Sequence, residues 1–445
     1  NLLLDEAQDT DPLQLEIAAA LARTHGARPL FLVGDPQQAI YGFRGAEPRV
    51  MEDALRPEKM AGCPSAEELR LTVNFRSHPE ILAWVNEGFG AAMGEAEQGR
   101  PYQPLDAAEG RDHGACGAAR VRPRVVALRS SADPRRHDLV ADATVAAIRE
   151  LEEALPLRDI AVLVPTRTGL PALERALRTA KLPSRLEART LLLASDEARD
   201  LRALAGAIVD PDDPVAVVAA LTTPALAVTD DELAAWVRET PDRPFAFLRH
   251  PDGPGFAALR AWREAVLPAS RGGVAAALAC LVRVARIREM AELEDRPRDA
   301  WRRIAFVLDL ARTFDAAKGG TLRAFLASLD VNEEEATAHD VPVPAEEDDD
   351  AVRILTIHAS KGLEFPAVVL SGTGNGQARA DRRCLLEGPD GGPCPAWSEI
   401  APATAIEARK AARKRDRAEE MRVFYVGLTR AERYLAPIFT TSPPP

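Results

Sequence analysis

The amino-acid sequence predicts an α/β protein with parallel sheets and a mostly helical insertion. Apolar runs such as LLL (2–4), PLFLV (29–33) and DIAVLVPTR (159–167) alternate with stretches of helical spacing, as in strand–helix–strand units. From about residue 200 to 330 an Ala/Leu/Arg-rich helical pattern dominates, and strand signals are few. Functional residues in parallel α/β sheets lie at the carboxyl ends of strands, so the residues that follow the apolar runs are the candidates.

Length and composition indicate an ordinary globular protein of two or three domains. The chain has 445 residues, of which 46% are hydrophobic and 28% charged. No apolar run approaches the roughly 20 residues that a membrane span needs, so we expect no membrane partner. Five scattered cysteines without a CxxC pair suit a reducing compartment and predict a cytoplasmic protein. The net charge of -12 argues against a nucleic-acid coat protein but allows a local basic groove.

The local patterns predict the first elements in order. We expect LLL to form a strand, PLQLEIAAALA (12–22) a helix and PLFLV a buried strand. A further strand is expected at 69–73, before a turn and helix in NFRSHPEILAWVNEGF (74–89). DIAVLVPTR predicts another buried strand, GLPALERALRTA (169–180) an amphipathic helix, and the Gly/Ala-rich residues 91–120 a loop.

The later part of the chain returns to strand pattern after the insertion. DLRALAGAIV (200–209) and GGVAAALACLVRVARI (272–287) have the helical spacing of the insertion, and acidic EEEATAHDVPVPAEEDDD (333–350) predicts a solvated linker. Strand signals resume in VRILTIHASKGLEFPAVVL (352–370). The basic run RKAARKRDR (409–417) is either a solvated helix face or a nucleic-acid contact.

Two adjacent carboxylates, Asp5 and Glu6, follow the first apolar run directly. In such a pair one carboxylate can hold Mg²⁺ while the other accepts a proton from attacking water. Acidic residues that cap a helix after a strand are also common, so the pair alone leaves a structural interpretation open.

The segment GDPQQAIYGFRGAE (34–47) combines an acidic turn, amides, and aromatic residues next to arginine. The amide of Gln38 could sense a terminal phosphate or orient water. Tyr41, Phe43 and Arg44 supply π-faces and a guanidinium plane, which can grip unpaired bases without reading sequence. Taken alone, Phe43 is better explained as a core residue.

Five segments, in this order, resemble motifs II to VI of the UvrD/Rep-type superfamily 1A DNA helicases: DEAQDT, VGDPQQAIYGFRGA, NFRS, ILTIHASKGLEFPAVVL and FYVGLTRAE. The segment ASDEARDLRALAGAIVDPDDPVAVVAALTTPAL (194–226) is similar to the RecB/AddA (exonuclease V beta-like) branch. The resemblance implies two RecA-like parallel-sheet domains, the first incomplete, with a mostly helical 2B-type insertion in the second. It implies domain 1A at 1–68, domain 2A at 69–200 and 346–445, and the insertion with its acidic linker at 201–345.

The resemblance implies ATP and Mg²⁺ as cofactors and gives five residues roles in phosphoryl transfer. Asp5 would bind Mg²⁺, and Glu6 would be the general base. Gln38 would contact the γ-phosphate and the attacking water. Arg76 and Arg430 would reach the γ-phosphate, and two arginines across a cleft suit the charge that develops on a transferring phosphoryl group.

Other residues are assigned to the nucleotide and the DNA by the same resemblance. Phe75 would pack near the adenine, and Glu364 would contact the ribose. Thr356 and His358 would lie on the DNA side, with the aromatic segment that contains Tyr41. A lone histidine is more often a satisfied core residue than a ligand, so that alternative stays open for His358.

The phosphate-binding motif GxxxxGK[ST] does not occur in this sequence. SKG (360–362) is no substitute, because the order of its residues is reversed and the preceding glycines are missing. We therefore expect an N-terminally incomplete chain that starts at motif II, and no useful ATP turnover by this chain alone.

Three functions fit these observations. The leading one is an ATP-dependent 3′-to-5′ helicase that acts on single-stranded DNA and on single-strand/duplex junctions in repair or recombination. The second is the motor part of a RecB/AddA-like helicase-nuclease that works with other subunits of a recombination complex. The third is a non-enzymatic DNA-binding or assembly protein with a degenerate helicase fold, although a scaffold has no need for a retained phosphate-sensing set.

Overall fold

The computed structural model describes residues 2–24, 30–42, 45–46, 51, 54, 67–92, 102–109, 120–130, 132–187, 192–293, 297–317, 319–335, 350–373, 385–387, 393–395 and 403–441. The chain divides into two compact units, one of residues 1–184 with 344–445 and one of residues 185–343. Within the described ranges no helix is both long and apolar enough to cross a bilayer.

The first unit alternates strands and helices. Its elements up to the helical unit are β1 Leu2–Leu4, α1 Pro12–Thr24, β2 Leu30–Leu32, β3 Val73–Asn74, α2 Pro79–Ala92, β4 Asp106–Ala107, β5 Arg124–Ala127, α3 Arg136–Glu152, β6 Ile160–Val164, α4 Leu170–Thr179 and β7 Ser184–Leu186. After the helical unit come β8 Val352–Thr356, β9 Phe365–Thr373, β10 Leu385–Glu387, β11 Pro393–Pro395, α13 Ala403–Leu428 and β12 Ala431–Thr441.

The main sheet has six strands in the order β5-β12-β9-β6-β8-β7. Strand β6 is parallel to both β8 and β9, and β12 is parallel to β9 and β5. All five residues of β6 are buried, as expected for a central strand covered on both faces. The predicted α/β fold with a parallel sheet is therefore confirmed, including the buried strand in DIAVLVPTR and the helix that follows it.

A second parallel pair, β1 with β2, carries the acidic motif at its carboxyl end. Here the prediction of a buried strand at PLFLV is wrong, because Phe31 is 58% exposed and Leu30 and Leu32 are only partly buried. The reason is one-sided cover: Leu30 and Leu32 pack against Leu15 and Ala19 of α1, while the alternate strand position faces away from that helix.

The strand expected at 69–73 is shorter and later than predicted. The structure has only β3, Val73–Asn74, paired in parallel with β4, and Leu69 and Leu71 are strongly exposed. The expected loop at 91–120 and the acidic linker at 333–350 lie largely outside the described residues. The bounds predicted for domains 1A, 2A and the insertion stay predictions.

The second unit is helical throughout its described residues. It contains α5 Asp196–Val209, α6 Pro214–Leu221, α7 Asp230–Glu239, α8 Phe256–Ala269, α9 Val274–Val284, α10 Ile287–Ala291, α11 Pro297–Ala317 and α12 Leu322–Glu335. Its own buried cluster includes Phe247, Phe256 and Phe325, so the unit has an independent hydrophobic core. The helical texture predicted for residues 200 to 330 is confirmed.

Candidate active site

The adjacent carboxylates Asp5 and Glu6 lie directly after β1, and both are exposed. Glu6 adopts a left-handed backbone conformation with φ 51°, which is uncommon for a residue other than glycine. Its amide donates to Asp5 Oδ1 at 2.9 Å. An unusual conformation at the end of a strand is the kind of local cost that functional sites retain.

Gln8, which the sequence interpretation missed, ties this acidic motif to the end of β2. Its side chain is buried, its Nε2 donates to the Glu6 carboxylate, and its Oε1 accepts from the Asp35 amide at 3.0 Å. Gly34 makes this approach possible, since a Cβ at that position would overlap Gln8 Oε1 and lie 3.0 Å from the Ala7 amide nitrogen. The pattern DExxQ followed by GD could have indicated this link.

Asp35 organises the short 3₁₀ turn Pro36–Gln38. Its Oδ1 accepts from the Gln37 amide and its Oδ2 from Gln38 Nε2, both at 2.9 Å. Burial raises the pKa of the Asp35 carboxyl, and the bonds from Gln38 and Gln37 oppose that shift. The carboxylate therefore fixes the orientation of the Gln38 amide.

The other face of that amide meets Arg430. The Arg430 Nη2 donates to Gln38 Oε1 at 3.1 Å, and its Nε donates to the Val426 carbonyl at 3.0 Å. The residue is only 2% exposed. Burial, followed by the positive charge of Arg76, lowers the pKa of Arg430 to about 10. A guanidinium that is held away from water in this way is prepared to bind an anion.

Arg76 lies beside Arg430. Its Nε donates to Glu364 Oε2 at 2.9 Å, and its Nη1 donates to the Thr429 carbonyl at 3.2 Å. The turn that carries it is fixed by Asn74, whose Oδ1 accepts from the Arg76 and Ser77 amides at 2.9 Å each. The structure thus brings together the two arginines that the sequence assigned to one site.

An open pocket of about 320 Å³ adjoins these arginines, lined by Val73, Asn74, Phe75, Arg76 and Glu364. Phe75 is 67% exposed, so its ring is available to a ligand. A volume of this order falls in the range of small-molecule sites. Phe75 and Glu364, predicted to contact the base and the ribose, therefore line one pocket.

Lys361 is a second residue that the sequence interpretation missed, because SKG was considered only as a possible phosphate loop. Its side chain is 9% exposed, and its Nζ lies 3.3 Å from Glu6 Oε2 and pairs with the Asp9 carboxylate. The same ammonium donates to the Gln38 carbonyl at 3.2 Å and lies 5.3 Å from the centroid of the Tyr41 ring. Lys361 thus links the acidic motif to the segment that carries Tyr41.

The residues predicted on the DNA side are only partly brought together. The Tyr41 and His358 rings are 5.9 Å apart between centroids. Thr356 and His358 are 7% and 9% exposed, and the Thr356 hydroxyl accepts from the Ala359 amide at 3.1 Å. Phe43 and Arg44 lie outside the described residues.

The residues present fit a magnesium nucleotide. Among the described residues no group of three or more His, Cys, Asp or Glu side chains could hold a metal. Mg²⁺, however, commonly uses one or two carboxylates with waters and phosphate oxygens, for which the exposed Asp5 is suitable. The buried Arg430 guanidinium, which bonds to neutral acceptors such as Gln38 Oε1 and the Leu363 carbonyl, suits a polyphosphate.

The sheet, the acidic strand end and the paired arginines define a nucleotide-dependent motor of the helicase class. Residues 1–58 match the family model of the UvrD/REP helicase N-terminal domain, and residues 278–442 match that of the UvrD-like helicase C-terminal domain. The chain belongs to the UvrD-like helicase family.

Curated relatives are named as one of the subunits of an ATP-dependent helicase/nuclease. The protein from Bacillus licheniformis is 26% identical over 98% of this chain and 38% of its own length. Those from Geobacillus kaustophilus and Desulforudis audaxviator are 28% and 29% identical, each over 98% of this chain and 39% of the relative. The chain therefore spans about two fifths of the length of the relatives that it matches. The predicted similarity to the RecB/AddA branch is confirmed.

Proposed function

We propose that this chain is motor machinery of an ATP-dependent DNA helicase that moves 3′ to 5′ along single-stranded DNA in repair or recombination. The observation that carries the proposal is the contact of Arg430 with Gln38, next to Arg76. One amide and two guanidinium groups are thereby assembled beside an open pocket and an acidic strand end. The direction of movement rests on the family resemblance.

The acidic motif would handle the metal and the water. ATP with Mg²⁺ would supply the phosphoryl group whose transfer to water releases the free energy for movement. Asp5 would hold the metal through its exposed carboxylate, and Glu6 would accept the proton of the attacking water. Gln8 and Lys361 hold the Glu6 carboxylate, so its direction is fixed before substrate arrives.

The two arginines would stabilise the charge that develops during transfer. Arg430 is held by Gln38 and by backbone carbonyls, so its position needs no rearrangement. Arg76 now pairs with the half-exposed Glu364, and an arriving phosphate would compete for this guanidinium. Release of Glu364 would then leave its carboxylate available to the ribose hydroxyls, and Phe75 would cover the base.

Unpaired bases would stack on the aromatic segment. Tyr41 and His358 form a pair of rings, and Phe43 and Arg44 are next in sequence. We propose single-stranded DNA and its junctions with duplex as the ligand, with Thr356 shaping the turn before His358. We keep the proposed assignment of 1–68 to domain 1A, of 69–200 and 346–445 to domain 2A, and of 201–345 to the insertion.

A more specific candidate is the motor part of a helicase-nuclease. It is favoured by the relatives named for an ATP-dependent helicase/nuclease, which match 98% of this chain. In that function the motor would pass single-stranded DNA to a nuclease and would work with a second protein chain. Co-purification of the complete gene product with a partner, together with degradation of linear duplex, would support this candidate.

The test is DNA-stimulated phosphate release by the complete gene product. We expect Arg430→Ala to lower the rate by about 10²–10³-fold, as for loss of one preorganised donor to a transition state. Arg413→Ala, which removes an exposed arginine of α13, should leave the rate within about twofold of the wild type. An unchanged rate in Arg430→Ala would contradict the motor function.

The 445-residue chain alone should release no phosphate, because its sequence contains no GxxxxGK[ST] loop to hold the β- and γ-phosphates. It should still bind fluorescent oligothymidylate, and a Tyr41→Ala variant should bind more weakly. Stimulation of phosphate release by oligothymidylate in this chain would show that the missing loop is not needed.

A further inference from the structure

The segment Gln38–Gly42 connects the residue that meets Arg430 with the residue that pairs with His358. Between them Ile40 is completely buried, which anchors the middle of the segment. Tyr41 and Gln38 are three residues apart, so a displacement of the backbone here moves both side chains together. What holds this backbone therefore decides whether nucleotide and DNA residues keep a fixed relation.

Polar groups from the later part of the chain hold the backbone of this segment at three points. Lys361 Nζ donates to the Gln38 carbonyl at 3.2 Å. Arg422 Nε donates to the Ala39 carbonyl, and Glu419 Oε1 accepts from the Gly42 amide at 3.0 Å. Two of the three contacts thus come from α13.

Glu419 and Arg422 are three residues apart on α13, so they lie on one face of the helix. Arg422 is only 5% exposed, and burial lowers the pKa of its guanidinium. A buried guanidinium that donates to a backbone carbonyl is a costly way to fill space. Its retention is better explained by the position that it fixes.

Gly42 fits closely against the same carboxylate. A Cβ at this position would lie 2.6 Å from Glu419 Oε2, which leaves no room for a side chain. The close approach allows the Gly42 amide to reach Glu419, so both partners of this contact are adapted to each other.

The same helix leads to the nucleotide side. It ends at Leu428, two residues before Arg430, which bonds to the Gln38 side chain. The segment is therefore gripped at one end through Gln38 and along its backbone through Ala39 and Gly42. It is fixed to α13 from the nucleotide residue to the residue after Tyr41.

We propose that Glu419 and Arg422 are positioning residues that hold Tyr41 in register with Arg430, so that a stacked base and the nucleotide site move as one piece. This inference deepens the proposed function and rests on it for the identity of the ligand, an unpaired nucleobase. Neither residue needs to touch DNA or nucleotide.

Fluorine NMR of the chain labelled with 3-fluorotyrosine tests the positioning directly. The sequence has only four tyrosines, Tyr41, Tyr102, Tyr425 and Tyr434, so each line can be assigned with one Tyr→Phe variant. In Glu419→Ala we expect the Tyr41 line to shift or broaden, while the Tyr434 line stays unchanged. Glu420→Ala, which removes the same charge from the neighbouring position, should leave the Tyr41 line as in the wild type.

Arg422→Lys provides a second variant that keeps the charge but shortens the reach to Ala39, and the same change in the Tyr41 line is expected. An unaltered Tyr41 line in both variants, with circular dichroism like that of the wild type, would overturn the proposal. A shift of all four lines would overturn it as well, since it would indicate a general structural role.

A double-mutant cycle on oligothymidylate affinity links the position to binding. Stacking of one base contributes about 1–3 kcal/mol, so we expect Glu419→Ala to weaken binding about fivefold or more. In a Tyr41→Ala background the same change should have no further effect. Equal losses in both backgrounds would overturn the proposal.

The DNA contact and the positioning role can fail separately. If Tyr41→Ala itself leaves oligothymidylate affinity unchanged, the DNA contact in the proposed function is overturned. The Tyr41 fluorine line needs no DNA, and its response to Glu419→Ala then decides the positioning role by itself.

Discussion

Arg430 has a charged head in a place with little water, and its partners explain how this is tolerated. Carbonyl and amide oxygens accept from it, yet its hydrogen bonds within the described part of the chain include none to a carboxylate. The pKa is lowered because burial and Arg76 disfavour the charged form. At neutral pH the guanidinium is still protonated, so it keeps an unneutralised charge for a phosphate.

A pair of glycine substitutions tests how tightly the acidic motif is packed. Gly34→Ala should lower the free energy of unfolding by about 1–3 kcal/mol, because the new methyl overlaps Gln8. Gly90→Ala, in exposed α2 with no heavy atom within 4 Å of the new methyl, should raise it by up to about 1 kcal/mol. Urea unfolding followed by circular dichroism measures both, and equal stability of the two variants would contradict the packing argument.

Asp200 gives the helical unit a dependence on pH. Burial, together with the charges of Asp196 and Glu197, raises the pKa of Asp200 to about 6. The folded form therefore binds more protons than the unfolded form between about pH 4 and pH 6. Stability from this group is present below that window and is lost as the pH rises through 6.

The substitution Asp200→Asn should remove this dependence. Since Asp200 is partly exposed, we expect a gain of only about 1 kcal/mol at pH 7 and none at pH 4. Asp212→Asn, at an exposed position of the same unit, is the control. Urea midpoints at the two pH values measure the effect, and a gain at pH 4 equal to that at pH 7 would contradict it.

At the scale of elements, α1 and β2 show what sequence periodicity could and could not supply. Apolar residues surround α1 on nearly every side, so its spacing predicts a helix but does not select the inner face. The structure buries Leu15 and Ala19, while Leu13, Ile17 and Leu21 are 64%, 51% and 51% exposed. By contrast, the five apolar residues of β6 in sequence predicted a fully buried strand correctly.

The exposed stripe of α1 should bind an apolar dye. A triple variant Leu13→Gln, Ile17→Gln and Leu21→Gln should lose most of the dye fluorescence with a change in unfolding free energy near 1 kcal/mol or less. Leu15→Gln should instead destabilise by roughly 2 kcal/mol or more, because it buries an amide without a partner. Undiminished dye binding in the triple variant would place the apolar surface elsewhere.

The candidate site was predictable where short motifs carry the chemistry. Gln38, Arg76 and Arg430 were found from sequence and lie together. Lys361 and Gln8 were missed, because their roles depend on contacts across 352 and 27 residues of sequence that no local pattern encodes. Burial of Thr356 likewise depends on tertiary packing.

At the scale of the whole molecule, the helical unit has the features of an independent folding unit. Its buried cluster runs from Leu193 to Leu329 and is drawn entirely from residues 185–343. A protein segment of this size commonly has enough buried surface to fold alone.

The excised segment 185–343 should therefore fold by itself. We expect a helical circular dichroism spectrum and a cooperative thermal transition, because the core is internal to the segment. Leu278→Asp, which buries a charge in that core, should abolish the transition, whereas Leu293→Asp, at a site 87% exposed, should not. A non-cooperative transition in the wild-type segment would show that its core needs the rest of the chain.

The path of the chain into and out of this unit makes the helical segment exchangeable in principle. The Val352 amide donates to the Pro183 carbonyl at 2.8 Å, so the exit and the return of the chain are neighbours in the sheet. Joining two points already in contact closes only a short loop, and closure entropy grows slowly with loop length. Sequences of very different size and origin could therefore be grafted between Ser184 and Pro344 without changing the strand register, which makes this junction a natural position for recombination between genes.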